Sequence, residues 1–338
     1  MKSKFLCHSI DDYLGDSKTR FFGMGYRRVV YDIKNIDIQF DHSENDHPKL
    51  TSLVSVKYPL DWSKKKDTNL RPHLSSIDTL ILSTQFCEIF LKHSFQFDSF
   101  NCKKMWLKSL KLKSGITPQE DLDNIPAKII WKSTSKLQLN DDTMTSIFDC
   151  QIGKMEARCE IEHPVAEIIC KNGCYTSPTD ILEPSNSRYY GDLFKLRGQS
   201  LQNISYDSEN QTASAKVKLN IPEFYHSVNG IDGYYQPSAT HVDCFVVHLQ
   251  LAQVLMYELD NINRKDSETL WMLRTEIEAP TPIRNFQSNY DATTRITSNY
   301  KLKVRNEYWR YVDIEGDFAG IKIKCSLGHK LPTSFNIK

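Results

Sequence analysis

The segment from Asp243 to Leu259 is apolar almost all the way round a helix. Cys244, Phe245, Val246, Val247, Leu249, Leu251, Ala252, Val254, Leu255 and Met256 leave no solvated face. A helix of that character is buried on most sides. Asp243, just before the apolar run, is a good N-cap candidate. The segment from Asp78 to Phe95 reads the same way, more weakly. Elsewhere the pattern switches to period two, which predicts strands over 53–58, 109–113, 213–221, 295–302 and 320–325.

The two helical segments are copies. Residues 75–95, SSIDTLILSTQFCEIFLKHSF, align with 240–260, THVDCFVVHLQLAQVLMYELD, at an offset of 165. Asp78 then matches Asp243 and Gln85 matches Gln250. Met105-Trp106-Leu107 falls on Leu270-Trp271-Met272, and Thr117-Pro118 on Thr281-Pro282 after a one-residue slip. Upstream, the Arg20-Phe-Phe-Gly23 motif falls on Arg188-Tyr-Tyr-Gly191; downstream, Cys159 and His163 fall on Cys325 and His329. Matches in the same order at nearly constant offset mark an internal repeat.

The repeats run roughly over 14–163 and 182–329. The stretch 164–187, with Pro164, Gly173, Pro178 and Pro184, has the composition of a linker lying outside the sheets. The expected domains are therefore 1–163, a first repeat with an N-terminal extension, and 188–338, a second repeat. Each has one buried helix and several antiparallel-type strands, an α+β class. A strongly curved sheet can cover such a helix on several sides. The expectation is a tandem (double) hot-dog fold: two antiparallel sheets, each wrapped around a long buried helix.

Composition narrows the function. The 338 residues carry 43 Lys+Arg against 42 Asp+Glu, a net charge of +1. That balance gives no electrostatic footprint for nucleic acid or a membrane surface. The N-terminus lacks the apolar core of a signal peptide, and no stretch reads as an uncharged spanning helix. Nine cysteines at irregular spacing look like free thiols, so the cytoplasm is the expected address. Cys170 and Cys174 make a weak zinc motif, and no phosphate loop, dinucleotide fingerprint or nucleophile elbow is present. Neither cofactor nor metal is expected.

Candidate chemistry lies on the helices. Asp78, Gln85 and Glu88 form a polar set on the first, and Asp243, Gln250 and Gln253 hold the same places on the second. Polar groups on a buried helix must be paired or must line a cavity, since unpaired burial costs roughly 1–3 kcal/mol per group. The functional reading is a pocket between the copies, near the start of both helices. The bland reading is two capping aspartates and glutamines bonded to sheet backbone. His241 and His248 occur only in the second copy, opposite Ser76 and Ser83. The symmetry-breaking Glu88 and His241 are therefore the first choices for acid–base work, with Asp243 beside them. Asp78, Gln85, Gln250 and Gln253 would bind substrate. Arg20 and Arg188, like His163 and His329, recur in both copies, which favours structural roles.

Two stretches resemble the avirulence protein D (AvrD) family of plant-pathogenic bacteria. One is Ser9-Ile-Asp-Asp-Tyr-Leu-Gly15 with Arg20-Phe-Phe-Gly-Met-Gly-Tyr-Arg-Arg-Val29; the other is His241 to Asp260 with Ser267-Glu-Thr-Leu-Trp-Met-Leu-Arg274. The resemblance spans nearly the whole chain. It implies the making of syringolides, acylated sugar-derived lactones built from a 3-oxoacyl unit and a pentulose such as xylulose. A more distant similarity is to A-factor-type butyrolactone synthases, tandem hot-dog proteins with a Glu-x-x-Arg pair on the helix. Here those places hold Gln250 and Gln253, or Gln85 and Glu88, which puts the general base in doubt. The implied activity is acyl transfer or condensation from a 3-oxoacyl thioester, with an acyl carrier protein or CoA thioester and a sugar acceptor as partners and a homodimer as a possible assembly. A dehydratase or thioesterase-like enzyme and a non-catalytic acyl-metabolite binding module are the alternatives.

Overall fold

The computed structural model describes residues 4–332 apart from 41–46, 66–67, 70, 138–139, 223–227, 268–269, 285–286, 288 and 305–306. In chain order the first half contains β1 (Lys4–Ser9), α1 (Ile10–Leu14), β2 (Val30–Gln39), β3 (Lys49–Lys57) and a small hairpin of β4 (Lys64–Lys65) and β5 (Thr68–Asn69). It continues through α2 (Ser76–Phe95), α3 (Ser99–Lys104), β6 (Trp106–Lys113), β7 (Ile125–Leu137), β8 (Asn140–Ile152) and β9 (Met155–Pro164). After β10 (Gly173–Tyr175) the second half contains β11 (Gly198–Asp207), β12 (Thr212–Asn220), α4 (His241–Asp260), β13 (Leu270–Glu278), β14 (Tyr290–Val304), β15 (Glu307–Phe318) and β16 (Ile321–Lys330).

All five stretches read as period-two strands fall on β3, β6, β12, β14 and β16, and both apolar segments are 20-residue helices. The helices start earlier than expected. Ser75 and Thr240 are the N-caps, and Asp78 and Asp243 sit at the third helical position of a capping box. Each aspartate returns a carboxylate oxygen to its cap's backbone N–H, so two otherwise orphaned donors are satisfied reciprocally.

The halves share one connectivity. The strand order is β1-β11-β12-β14-β15-β16-β13-β6-β9-β8-β7-β3-β2-β10, so the second half's six strands run in the mirror order of the first half's. Irregularities repeat as well: Asn35 (φ 54°) and Asn203 (φ 54°) break the β2–β3 and β11–β12 pairings at equivalent points. The expectation of two sheets is corrected here. β6 and β13 pair antiparallel from Ser109↔Glu278 to Lys113↔Arg274, and this seam joins both halves into one 14-stranded sheet. The seam leaves neither half with a free edge at the centre.

The outer edges are covered by exchange. β1 precedes the first repeat yet pairs with β11 of the second half, and β10 precedes the second repeat yet pairs with β2 of the first. The stretch 164–187 is thus not wholly outside the sheet, because Gly173–Tyr175 closes one edge. The rest of it is irregular apart from single turns at 178–180 and 185–187. α4 has the length and mean hydropathy of a membrane span, but it carries Asp243, Glu258 and Asp260 and its apolar surface is buried by β11–β16.

Candidate functional site

The duplicated arginines cross between the halves. Arg188 reaches α2, where Nη1 donates to Glu88 Oε2 at 3.0 Å and Nη2 to Gln85 Oε1 at 3.5 Å. Its twin Arg20 reaches α4, donating from Nη1 to Gln250 Oε1 at 2.8 Å and from Nη2 to Asp11. The glycine of each motif permits the tight turn that aims the arginine. A Cβ on Gly23 would lie 2.3 Å from the Ser17 carbonyl oxygen, and one on Gly191 2.2 Å from that of Ser185. The carboxylate that neutralises each guanidinium comes from a different place: Glu88 on the helix in one case, Asp11 of α1 in the other. Position 253, the twin of 88, is thereby free to be the neutral Gln253.

A cavity of about 130 Å³ opens at the amino-terminal end of α2. Its wall combines Phe21, Phe22, Trp62, Trp271, Met155 and Met272 with Leu249 and Gln253 of α4, so both halves build it. Arg20, His73, Ser75 and Ser76 bring polar groups to it. The first turn of a helix carries amides with no intrahelical partner and a partial positive charge, and Ser75 and Ser76 put that turn on the wall. His73 stacks on Trp271 with ring centroids 6.1 Å apart and meets Trp62 edge-on at 5.9 Å. Its Nδ1 is 3.4 Å from the Arg71 carbonyl; with the proton there, Nε2 is left as the acceptor.

Asp78 lies directly beneath this wall and is fully buried. Its carboxylate accepts from Tyr31 Oη at 2.7 Å, from Ser75 N at 2.9 Å and Ser75 Oγ at 2.5 Å, and from Tyr58 Oη. Burial pushes its pKa up, and the hydrogen bonds from Ser75 and the two tyrosines oppose that. The Tyr58 hydroxyl also lies 2.9 Å from the His73 carbonyl oxygen, which ties the His73 loop to the helix cap.

At the start of α4 the twin positions are packed. Asp243 accepts from Thr240 N at 2.9 Å, Thr240 Oγ1 at 3.0 Å and Gln199 Nε2 at 2.8 Å, and Arg197 Nε lies 3.2 Å away. Asp232 accepts from Tyr190 Oη at 2.8 Å and from Leu107 N at 3.3 Å, and Arg284 Nε donates to the Ala239 carbonyl at 2.7 Å. His241 is wholly buried here, neither ring nitrogen makes a well-formed hydrogen bond among the described residues, and burial, reinforced by Arg284 and opposed by the Lys108 backbone, pushes its pKa down to about 3.

Of the residues singled out in the sequence, Gln253 and Arg20 reach the cavity. Asp78 and Gln250 stand behind its wall through Ser75 and Arg20. Glu88, Gln85, Asp243 and His241 are not among its lining residues. His248 is buried with Nδ1 2.8 Å from Thr294 Oγ1. His163 bonds Ser146 Oγ at 2.8 Å and His329 approaches Asp260 at 3.2 Å, both inside the core. The sequence reading missed His73, although the signal that selected His241 was present there too: its twin is Ser238.

No curated protein matches the sequence significantly. Among solved structures, a conserved protein of unknown function with a hot-dog fold from Alicyclobacillus acidocaldarius is similar at 10% identity, with 88% of this chain and 96% of that chain covered and a TM-score of 0.38. GphF dehydratase 1 is similar at 12% identity, with 88% and 97% covered and a TM-score of 0.38. The 12:0-ACP thioesterase from Umbellularia californica is similar at 8% identity, with 76% and 91% covered and a TM-score of 0.35. The model of the Pseudomonas avirulence D protein (AvrD) family matches residues 4–332. The chain belongs to the AvrD family.

Proposed function

We propose that the chain is a tandem double hot-dog enzyme acting on an acyl thioester at the cavity beside α2, and that it joins a 3-oxoacyl chain to a pentulose-type sugar. The carrying observation is the cavity itself: apolar and aromatic, built from both halves, with the first turn of α2 and the His73 ring on its wall. Membership of the AvrD family supports the acyl-sugar product.

In this reading the aromatic and methionine side chains hold the acyl chain. The amides at the start of α2 polarise the thioester carbonyl and receive its developing negative charge, as an oxyanion hole does. His73 Nε2 takes the proton from the attacking sugar hydroxyl, the oxygen bonds to the carbonyl carbon, and the thiolate of the carrier departs with a proton returned by His73. Trp62 and Trp271 fix the ring, and the Asp78–Tyr58 pair fixes its backbone. Gln253 and Arg20 are positioned to bind the polar end of the substrates. Glu88, Asp243, Gln85 and Gln250 serve as the frame that holds the two arginine motifs and caps in place.

The test is incubation with a 3-oxoacyl carrier thioester and xylulose, following free thiol and the adduct by mass spectrometry. The expected result is thiol release with one new acyl-sugar, and a roughly 10²–10⁴-fold slower release for His73→Ala without loss of fold. Thiol release without adduct would turn the reading to a thioesterase. Binding without turnover would turn it to a carrier of acyl metabolites.

A further inference from the structure

The core of the first half holds three thiols in one cluster. Cys87 of α2, Cys150 of β8 and Cys159 of β9 are all buried, and their sulfurs lie within 4.8 Å of one another. None of the three lines the cavity beside α2. We propose that this cluster is a binding site for a thiophilic divalent metal ion such as Zn²⁺, held by the three sulfurs. Sulfurs about 2.3 Å from one ion stand roughly 3.8–4.0 Å apart, so a small inward shift completes the site.

A second observation points the same way. Ser83, one helical turn before Cys87, is fully buried, and its hydroxyl makes no well-formed hydrogen bond among the described residues. It stands beside Cys150, where it can donate to a thiolate or supply the fourth ligand. Two thiolates and one neutral thiol around a dication bring no net charge into the core, which keeps the desolvation cost small. Binding in that form releases two protons to solvent for each ion bound.

The fold does not demand the cluster. The twin positions in the second half are Ala252, Gly316 and Cys325, so only one of the three sulfurs recurs. There the core is closed differently, by the His248 ring lying where a Cβ on Gly316 would fall, 2.2 Å from His248 Cε1.

The full chain, reduced and anaerobic, is mixed with Zn²⁺ and, because the site is dry, also refolded in its presence. After gel filtration about one equivalent of zinc should stay with the chain, and Cd²⁺ in its place should give thiolate charge-transfer absorption. Cys87→Ala should lose that ion; it copies the twin's Ala252, so its fold should survive, checked by circular dichroism. Ser83→Ala should bind roughly 10-fold more weakly, and Cys170→Ser with Cys174→Ser should bind as the wild type does. Wild-type chain that retains no ion by either route, or a Cys87→Ala chain that retains as much as wild type, overturns the site.

Discussion

Glu88 and Gln253 occupy one position of the repeat and do different work. Glu88 is 1% exposed and faces Arg188, itself 2% exposed. Burial pushes its carboxyl up and the guanidinium pulls it back. Removing one member of such a pair leaves a buried charge uncompensated, which costs about 3–5 kcal/mol. Glu88→Gln should therefore lower the unfolding free energy by that much, and the urea midpoint with it, whereas Gln253→Ala, half-buried on the cavity wall, should change stability by less than about 1 kcal/mol. Urea titrations of the two variants check this. Equal midpoints would mean that Arg188 finds another partner when Glu88 loses its charge.

Among the elements, α2 and α4 share caps, length and left-handed exits at Gln96 and Asn261, yet their packing partners have diverged together. His248 on α4 needs Gly316 on β15; Ser83 on α2 accompanies Cys150 on β8. Gly316→Ala should cost about 1–3 kcal/mol, because the added methyl meets the imidazole inside a close-packed core. Adding His248→Ser to it should recover part of that loss by restoring the small residue found in the twin. Thermal melts of the single and double variants read the coupling; additive losses would show that the ring moves aside freely. The element scale also accounts for what was readable. Both long helices and the period-two strands follow from local patterns, because 3.6- and 2-residue periodicities are properties of neighbouring residues. β10 was missed because three residues pairing with a distant edge leave no periodicity to read.

The whole molecule should be sensitive to acid. Burial pushes His163 down to about 4 and His241 and His248 down to about 3. An unfolded histidine titrates near 6.5, so in each case the folded pKa is the lower one. Above about pH 6.5 both states are neutral and the stabilisation is fully present. As the pH falls below that value the unfolded chain takes up protons first, and stability drains until the folded pKa is reached. Each group contributes up to about 1.4 kcal/mol per pH unit across its window. Melting temperature should fall steeply between about pH 6 and pH 4, and less steeply in His241→Ser, whose twin residue is Ser76. Identical slopes would show that His241 is protonated in the folded chain.

By itself the sequence determined the repeat, the two buried helices and the family. All of these rest on the order of neighbouring side chains or on a comparison of the chain with itself. Tertiary structure alone decided the rest. Whether two curved sheets stay apart or join depends on backbone pairing between β6 and β13, to which side chains give little clue. The crossing of Arg20 and Arg188 to the opposite helices brings together residues 230 and 100 positions apart. The cavity opened beside α2 rather than α4 because Asp232, Tyr190 and Arg284 pack together at the start of α4. A vacancy is the sum of the volumes around it, and no single residue in the sequence records that sum.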